Sequence, residues 1–241
     1  MKQKVQILHE DDDLIIVNKP ADYLSIPDRH DETKPNILSF LNHKYGKVFT
    51  VHRLDKATSG IMCFAKNEVA HKHLSKQFQE RTVEKIYYAL VDGILSNSEG
   101  EINQGIAPHP ARPGKMMVSN KGKKSLTHYK LVEQFQSFAL VEANIKTGRT
   151  HQIRVHFEAI GYPLAIDELY GNRTEFRLSE IKRKKYKLGK DQEERPLMTR
   201  TTLHAFRLEL DHPTTQKRLI FEASVPKDFS AVLKQLRKWH K

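Results

Sequence analysis

The residues most able to do chemistry in this 241-residue chain lie in a charged segment at residues 51–60, directly before a short apolar run. A non-periodic charged stretch of this kind is typical of a loop that leads into a buried strand. In this loop Asp55 is the single carboxylate, and it is surrounded by His52, Arg53 and Lys56. Neighbouring cations keep a carboxylate ionised and attract an anionic ligand towards it. The same spacing also occurs in ordinary surface ion pairs, so the loop alone does not establish a site.

Four further short motifs accompany this loop in a fixed order along the chain. With HRLDKATSG at 52–60, they are NKP at 18–20, KIY at 85–87, KTGRTHQIRVH at 146–156 and LHA at 203–205. The ordered set resembles the RluA family of RNA pseudouridine synthases over nearly the whole chain. The resemblance implies an enzyme that isomerises specific uridines of structured RNA, ribosomal or transfer RNA, to pseudouridine. The alternative is a non-catalytic RNA-binding or ribosome-assembly factor, which would not require intact catalytic residues.

The catalytic aspartate of the family that the chain resembles matches Asp55. Pseudouridine forms when the bond between C1′ and N1 of uridine breaks and the base rejoins the ribose through C5, without redox change or external reagent. The resemblance therefore implies no cofactor and no metal.

Asp55 would attack C1′ or help a glycal-like intermediate to form, and the sequence leaves both routes open. Tyr87 matches the family's tyrosine and would act as the base. Arg154 matches the arginine that pairs with the aspartate and holds it ionised in the pocket.

The resemblance also implies which residues bind RNA. A stacked nucleotide must flip out of the RNA before its C1′ can reach a carboxylate, at a cost of roughly a few kcal/mol. Arg53 either fills the space that the flipped base leaves or contacts a phosphate, and Leu203 would lie beside the flipped base. The other substrate-binding residues implied are His52, Lys56, Thr58 and Arg149.

The charge of the whole chain favours a polyanionic partner. Lysine and arginine outnumber aspartate and glutamate by 41 to 29, which gives a formal net charge of +12, as is typical of RNA-binding proteins. A run of almost one sign, 182–187, lies in a basic segment, 172–199, that we interpret as an insertion. This run is either a solvated helix or loop, or an arm that faces RNA. Since no lipidation motif and no amphipathic terminal helix with an aromatic face accompany the charge, we expect no membrane partner.

Cysteine usage and the N-terminus indicate the compartment. The single cysteine, Cys63, lies in an apolar run, so the sequence predicts neither a disulfide framework nor a cysteine-based metal site. No stretch approaches the roughly 18 apolar residues of a membrane span, and the N-terminus lacks the apolar core of a signal peptide. We therefore expect a cytoplasmic protein, and we predict a monomer.

The elements that must position these residues indicate an α+β protein. Strands are predicted at 5–9, 14–20, 60–66, 85–93, 126–132, 138–145, 201–210 and 218–224, and helices at 35–41, 67–78, 150–160 and 229–239. The resemblance implies the pseudouridine synthase fold, a mixed, largely antiparallel central sheet flanked by helices. Because strand structure starts almost at residue 1, we expect a single catalytic domain over 1–241 without the small RNA-binding S4 domain that many relatives carry.

One departure from the family motif concerns the loop that contains Ala165, Ile166 and Asp167. Relatives usually have glycine directly before this aspartate, whereas this chain has isoleucine. A β-branched residue disfavours the positive φ that glycine adopts easily. The resemblance therefore does not predict the path of this loop.

Overall fold

The computed structural model describes residues 4–187 and 193–240. The chain separates into two compact units. The first unit comprises the chain up to Tyr87 together with His204–Ser224, and the second comprises Tyr88–Leu203 and the chain from Val225 onwards. The chain thus leaves the first unit after Tyr87 and returns to it for a pair of strands. The expectation of one catalytic domain over 1–241 stays a prediction.

The described residues form five α-helices and twelve strands. The helices are α1 (Ile37–Tyr45), α2 (Glu68–Glu80), α3 (Gln152–Ala159), α4 (Leu178–Lys182) and α5 (Lys227–Trp239). The strands are β1 (Gln6–Glu10), β2 (Leu14–Lys19), β3 (Phe49–Thr50), β4 (Ser59–Ala65), β5 (Glu84–Asp92), β6 (Glu99–Asn103), β7 (Ile106–Pro108), β8 (Met116–Val118), β9 (Leu126–Gln134), β10 (Phe138–Ile145), β11 (Leu203–Asp211) and β12 (Arg218–Glu222).

The sheet of the first unit has the strand order β1-β2-β4-β11, with β3 beside β4, β12 beside β11 and β11 beside β5. The pairs β1–β2, β2–β4, β3–β4 and β11–β12 are antiparallel, whereas β4 and β11 are parallel. β4 is buried along its whole length, as its apolar sequence predicts. Ala70 and Leu74 of α2 pack against Ile61 and Cys63 of β4 in the core of this unit.

Side-chain caps decide where the first two helices begin. Asn67 Oδ1 accepts the Ala70 N–H at 2.8 Å, so α2 begins where the sequence predicts. The prediction of the preceding helix at 35–41 was wrong at both ends. Its cap is Asn36, whose Oδ1 accepts the Ser39 N–H at 2.8 Å, and the helix continues to Gly46, where φ is 75°.

The second unit contains the strand order β5-β10-β9-β6 and a separate pair, β7–β8. The pairs β9–β10, β6–β9 and β7–β8 are antiparallel. The core of this unit packs Val232, Leu233 and Leu236 of α5 against residues of β5 and β10, as the amphipathic pattern of that helix predicts. The mixed, mostly antiparallel sheet with few helices confirms the predicted α+β class.

The basic segment 172–199 is attached to this core at several points. Phe176, Ile181 and Met198 are buried in it, and the backbones of Phe176 and Met198 are hydrogen-bonded to each other at 2.8 Å. The described part of the basic run forms the end of α4 and one turn of 3-10 helix, Arg183–Lys185. Residues 188–192 lie outside the described residues.

Among residues 4–187 and 193–240, no helix combines the length and the apolar character that crossing a membrane requires.

Candidate active site

Asp55 occupies a tight turn immediately before β4. Its backbone carbonyl accepts the Thr58 N–H at 3.1 Å, which closes the turn. The Asp55 side chain is partly buried and Thr58 is buried, whereas the side chains of Arg53 and Lys56 are exposed. The turn therefore presents a carboxylate next to two cations that an anionic ligand can reach.

A fully buried lysine holds this turn from the protein interior. Lys19, the last residue of β2, has no exposed surface. Its ammonium donates to the backbone carbonyls of Lys56 at 3.0 Å, Pro20 at 3.0 Å and Tyr23 at 2.7 Å. The Lys56 carbonyl also accepts the Asp22 N–H at 2.9 Å. Because an ammonium offers three donors from one point, it can join the Asp55 turn to the loop that follows β2.

The residue before Asp55 is fixed by a reciprocal pair of hydrogen bonds. Ser25 Oγ donates to the Leu54 carbonyl at 2.7 Å and accepts the Leu54 N–H at 3.0 Å. Both residues are buried, so neither bond competes with bulk water. With Lys19 holding residue 56 and Ser25 holding residue 54, the main chain is anchored on both sides of Asp55.

The start of β4 is fixed by an unusually close approach to β11. Gly60 has a φ of 119°, and a Cβ at this position would lie 2.2 Å from the Ala205 carbonyl oxygen. Only glycine fits such a contact. Beside it, Ser59 Oγ lies 2.9 Å from Nδ1 of the buried His204, whose Nε2 donates to the Ala223 carbonyl at 3.0 Å. The register of β4 on β11 therefore determines where the Asp55 turn ends.

His52 supports the same loop through its ring. Its Nε2 accepts the Cys63 N–H at 3.0 Å, and the ring stacks on Phe78 with the centroids 4.6 Å apart. Burial, and secondly the positive charge of Lys85, lower the pKa of His52 to about 3. The ring is therefore neutral, as a hydrogen-bond acceptor must be. Its role in RNA binding stays a prediction.

Tyr87 is the predicted site residue that the structure links to Asp55 electrostatically. It lies on β5, and only 7% of it is exposed. Burial raises the pKa of the Tyr87 phenol, and the negative charge of Asp55 raises it further. The phenol is therefore protonated at neutral pH and can donate a hydrogen bond. Tyr88 is partly buried and packs against the core of the second unit.

In the second unit, Gln152 organises the motif at residues 146–156. Its amide nitrogen donates to the Leu126 carbonyl and to Thr127 Oγ1, both at 2.9 Å. Its amide oxygen accepts the Thr147 hydroxyl at 2.6 Å and the Arg149 N–H at 3.1 Å. These four bonds attach the first residue of α3 both to β9 and to the turn that precedes the helix.

Two residues further along α3, Arg154 forms a buried two-point ion pair with Asp167. Arg154 Nε lies 2.6 Å from Asp167 Oδ2, and one terminal nitrogen lies 2.7 Å from Oδ1. The two side chains are 8% and 0% exposed. Asp167 also accepts the N–H groups of Leu169 and Tyr170. The guanidinium is thus fixed in one orientation. Asp55 and Arg154 belong to different units, and their pairing stays a prediction.

The isoleucine that departs from the family motif fits this loop without strain. Ile166 does not adopt a positive φ, is 1% exposed, and donates its N–H to Thr202 Oγ1 at 3.2 Å. The loop therefore brings the Asp167 carboxylate to Arg154 without glycine.

Tyr170 packs against the same ion pair. The Arg154 guanidinium lies 4.9 Å from the centre of the Tyr170 ring, and the Tyr170 hydroxyl accepts the Met116 N–H at 2.7 Å. Burial raises the pKa of Tyr170 to about 12. The hydroxyl also lies 2.9 Å from Nδ1 of His151, the residue directly before α3, where φ is 56°.

The two remaining predicted binding residues also lie in the second unit. Leu203 is the first residue of β11 and is 4% exposed. Arg149 is partly buried, and its Nε donates to the Lys124 carbonyl at 3.3 Å. Contact of either residue with RNA stays a prediction.

Three positioning residues were not identified from the sequence. Lys19 ends an apolar run, so its position in a buried strand was the available signal, because buried lysines are rare unless paired. Asp167 directly follows the apolar residues Leu164, Ala165 and Ile166, so a carboxylate next to an apolar segment was the available signal there. Ser25 lies in a polar loop and gives no signal of its own.

The described part of the chain contains no group of three or more histidine, cysteine, aspartate or glutamate residues that could hold a metal ion.

Comparison with known proteins identifies the family. The model for RNA pseudouridylate synthase matches residues 13–159. The chain is 37% identical over 239 residues to ribosomal large subunit pseudouridine synthase D of Pseudomonas aeruginosa, covering 97% of this chain and 72% of that protein. It is 38% identical to the protein of the same name from Nitrosomonas europaea, covering 97% of this chain and 65% of that protein.

Solved structures agree with this result. The human RNA pseudouridylate synthase domain containing 4 protein superposes with a TM-score of 0.73 at 25% identity, covering 96% of this chain and 93% of that one. The human domain containing 1 protein superposes with a TM-score of 0.70 at 28% identity, covering 92% and 84%. The chain therefore belongs to the RNA pseudouridine synthases, the RluA family whose motifs its sequence contains, and is an enzyme that isomerises uridine to pseudouridine.

Proposed function

We propose that this protein isomerises specific uridines in ribosomal RNA, with Asp55 as its catalytic carboxylate. The observation that carries the assignment of Asp55 is the anchoring of its turn, since Lys19 and Ser25 hold the main chain on either side of it. Large-subunit ribosomal RNA is the substrate named for the relatives from Pseudomonas aeruginosa and Nitrosomonas europaea. The net charge of +12 suits a polyanion of this kind.

The chemistry follows from what the anchored turn can do. Breaking the C1′–N1 bond leaves positive charge on the ribose, which a carboxylate either stabilises or traps by attack at C1′. A turn that is held by its backbone keeps that carboxylate in place without reorganisation. After the base has rotated and the C1′–C5 bond has formed, the C5 proton must leave and N1 must gain one. Tyr87 is protonated at rest, so it can take the C5 proton only as it gives up its own.

A tritium-release assay tests the assignment. Large-subunit ribosomal RNA transcribed with 5-tritiated uridine should release tritium with the wild-type protein. Asp55→Asn removes the charge but keeps the shape, and should lower the rate roughly 10⁴-fold or more while RNA binding is retained. Tyr87→Phe should lower it by about 10²- to 10⁴-fold.

The matched control is Asp22→Asn. Asp22 is exposed on the neighbouring loop and has a φ of 66°, a conformation that asparagine tolerates well. This variant should release tritium at the wild-type rate. Equal release from Asp55→Asn and the wild type would contradict the assignment of Asp55.

Three finer statements belong to the same proposal. Transfer RNA is the second substrate class, and the same assay with transfer RNA transcripts tests it. We also propose that the protein acts as a monomer in the cytoplasm. Light scattering after gel filtration tests the oligomeric state, and cell fractionation tests the location.

A further inference from the structure

A cluster of lysines surrounds the only tryptophan of the chain. The ammonium groups of Lys182, Lys185 and Lys238 lie 5.5, 5.3 and 5.3 Å from the centre of the Trp239 ring. Lys185 and Lys238 are exposed, and Lys182 and Trp239 are partly buried. We call these four residues the Trp239 lysine cluster. Each lysine contacts a ring that attracts cations, so the three charges are gathered at one place.

The charge at this place is not compensated within the described part of the chain. Next to the cluster, Arg183, Lys184 and Lys187 are also exposed. In residues 4–187 and 193–240, none of these six cations forms an ion pair with a carboxylate.

Two acids that precede the cluster in the chain are engaged elsewhere. Glu180 pairs with Arg173, and Glu175 pairs with Arg177. These two carboxylates therefore leave the positive charge of the cluster in place.

Like charges at this spacing repel one another. No two of the three ammonium groups of the cluster are more than about 11 Å apart, because each lies within 5.5 Å of the ring centre, and the Debye length at physiological salt is about 8 Å. A bound polyanion relieves this repulsion and releases its own counterions. The cluster is thus suited to a ligand that presents several negative charges a few ångströms apart.

The cluster is built on a fixed part of the second unit. Ile181, directly before Lys182, is 2% exposed and packs in the same core as Leu233 and Leu236 of α5. His240, directly after Trp239, donates from Nε2 to the Ile181 carbonyl at 2.9 Å. This bond joins α4 to the end of α5, so the lysines are positioned before any ligand arrives, which lowers the entropy cost of binding.

We propose that the Trp239 lysine cluster, with Arg183, Lys184 and Lys187, is a binding surface for the phosphate backbone of the RNA substrate. The proposal rests on the proposed function for the identity of the polyanion. A backbone contact of this kind adds affinity and orientation without base specificity. It gives the basic segment 172–199 a role in holding the RNA, separate from the chemistry at Asp55.

The first test uses Trp239 as its own reporter, since the chain has no other tryptophan. Adding a transcript of large-subunit ribosomal RNA should change the tryptophan fluorescence, and added salt should reverse the change. RNA binding that a filter assay detects while the fluorescence stays constant would overturn the proposal.

The second test removes charge. The triple variant Lys182→Gln, Lys185→Gln, Lys238→Gln should lower the slope of log affinity against log salt by about three, roughly one for each phosphate that is no longer neutralised. The matched control is Lys47→Gln, Lys72→Gln, Lys76→Gln, which removes the same charge from three exposed lysines of the first unit. The control should change the slope by less than about one. Thermal unfolding checks that both triple variants are folded.

Three outcomes separate this proposal from its rivals. An equal slope for the cluster variant and the wild type overturns it, and tritium release by the wild type then shows that the proposed function stands. A lowered slope without tritium release from the wild type supports the surface and contradicts the proposed function. The third outcome is that the cluster variant, unlike the wild type, fails to bind vesicles of phosphatidylglycerol and phosphatidylcholine in equal parts, while its RNA slope equals that of the wild type. This result would assign the surface to lipid headgroups and overturn the proposal.

Discussion

Lys19 and Arg154 are both buried cations, but each positions the residues around it in a different way. Lys19 in the first unit donates to three backbone carbonyls, and Arg154 in the second unit forms a two-point ion pair with the side chain of Asp167. Both are almost completely inaccessible to solvent. The residue types match these tasks, because an ammonium is a compact donor to converging carbonyls, whereas a guanidinium is a planar fork that fits a carboxylate.

The two kinds of support position functional groups in different ways. Asp55 is presented by a turn whose main chain is fixed at residues 54 and 56. In that arrangement Lys19 and Ser25 act on the backbone of the turn. Arg154 is instead oriented through its own functional group, and the Asp167 carboxylate compensates part of its charge. The first unit thus depends on main-chain geometry, and the second on side-chain complementarity.

We expect Lys19→Met to be the most destabilising single substitution. Methionine fills a similar volume but leaves three carbonyls without their charged donor, so we expect a loss of about 3 to 5 kcal/mol in the free energy of unfolding. Tritium release should fall as well, because the Asp55 turn loses its anchor.

The control is Lys66→Met, since Lys66 also donates to a backbone carbonyl, that of Asp11, but is part-exposed. There we expect about 1 kcal/mol or less. Equal losses in urea denaturation would contradict the role of Lys19.

The second prediction concerns Asp167→Asn. The change leaves the buried guanidinium without its counter-charge, so we expect a loss of about 3 kcal/mol in the free energy of unfolding. The control is Asp228→Asn, because Asp228 forms the same two-point pair with Arg200 but its side chain is 25% exposed rather than 0%. We expect about 1 to 2 kcal/mol there, since water replaces part of the lost interaction. A larger loss for Asp228→Asn than for Asp167→Asn would show that burial does not decide the cost.

Much of the fold followed from local patterns in the sequence. The apolar run of β4, the cap at Asn67 and the amphipathic pattern of α5 were each sufficient to predict their elements. The first helix was misplaced because Asn36 offered a better cap than the residues before it. The division into two units followed from no local signal, since both β5 and β11 read as ordinary strands.

The site was predictable only in part, for a physical reason. Asp55 and Tyr87 were named from motif resemblance, and the structure links them through the effect of Asp55 on the pKa of Tyr87. Their supports, Lys19 and Ser25, act on backbone atoms that every residue possesses. The sequence carries no mark of which carbonyl a lysine will contact, so these supports required the structure.

The smallest expected effect comes from His52, which gives the first unit a dependence on pH. Burial and the charge of Lys85 lower the pKa of His52 to about 3 in the folded protein, against an ordinary value near 6.5 in the unfolded chain. Below pH 6.5 the unfolded chain therefore binds the proton more readily. The stabilisation from a neutral His52 is complete above that pH and is lost as the pH falls, at up to about 1.4 kcal/mol per unit.

His52→Gln keeps an oxygen to accept the Cys63 N–H but does not titrate. Between pH 6.5 and 5 its free energy of unfolding should fall less steeply than that of the wild type. The exposed His30, changed to glutamine, is the control and should keep the wild-type slope. Parallel slopes for His52→Gln and the wild type in urea titrations would show that the ring is not held neutral by its surroundings.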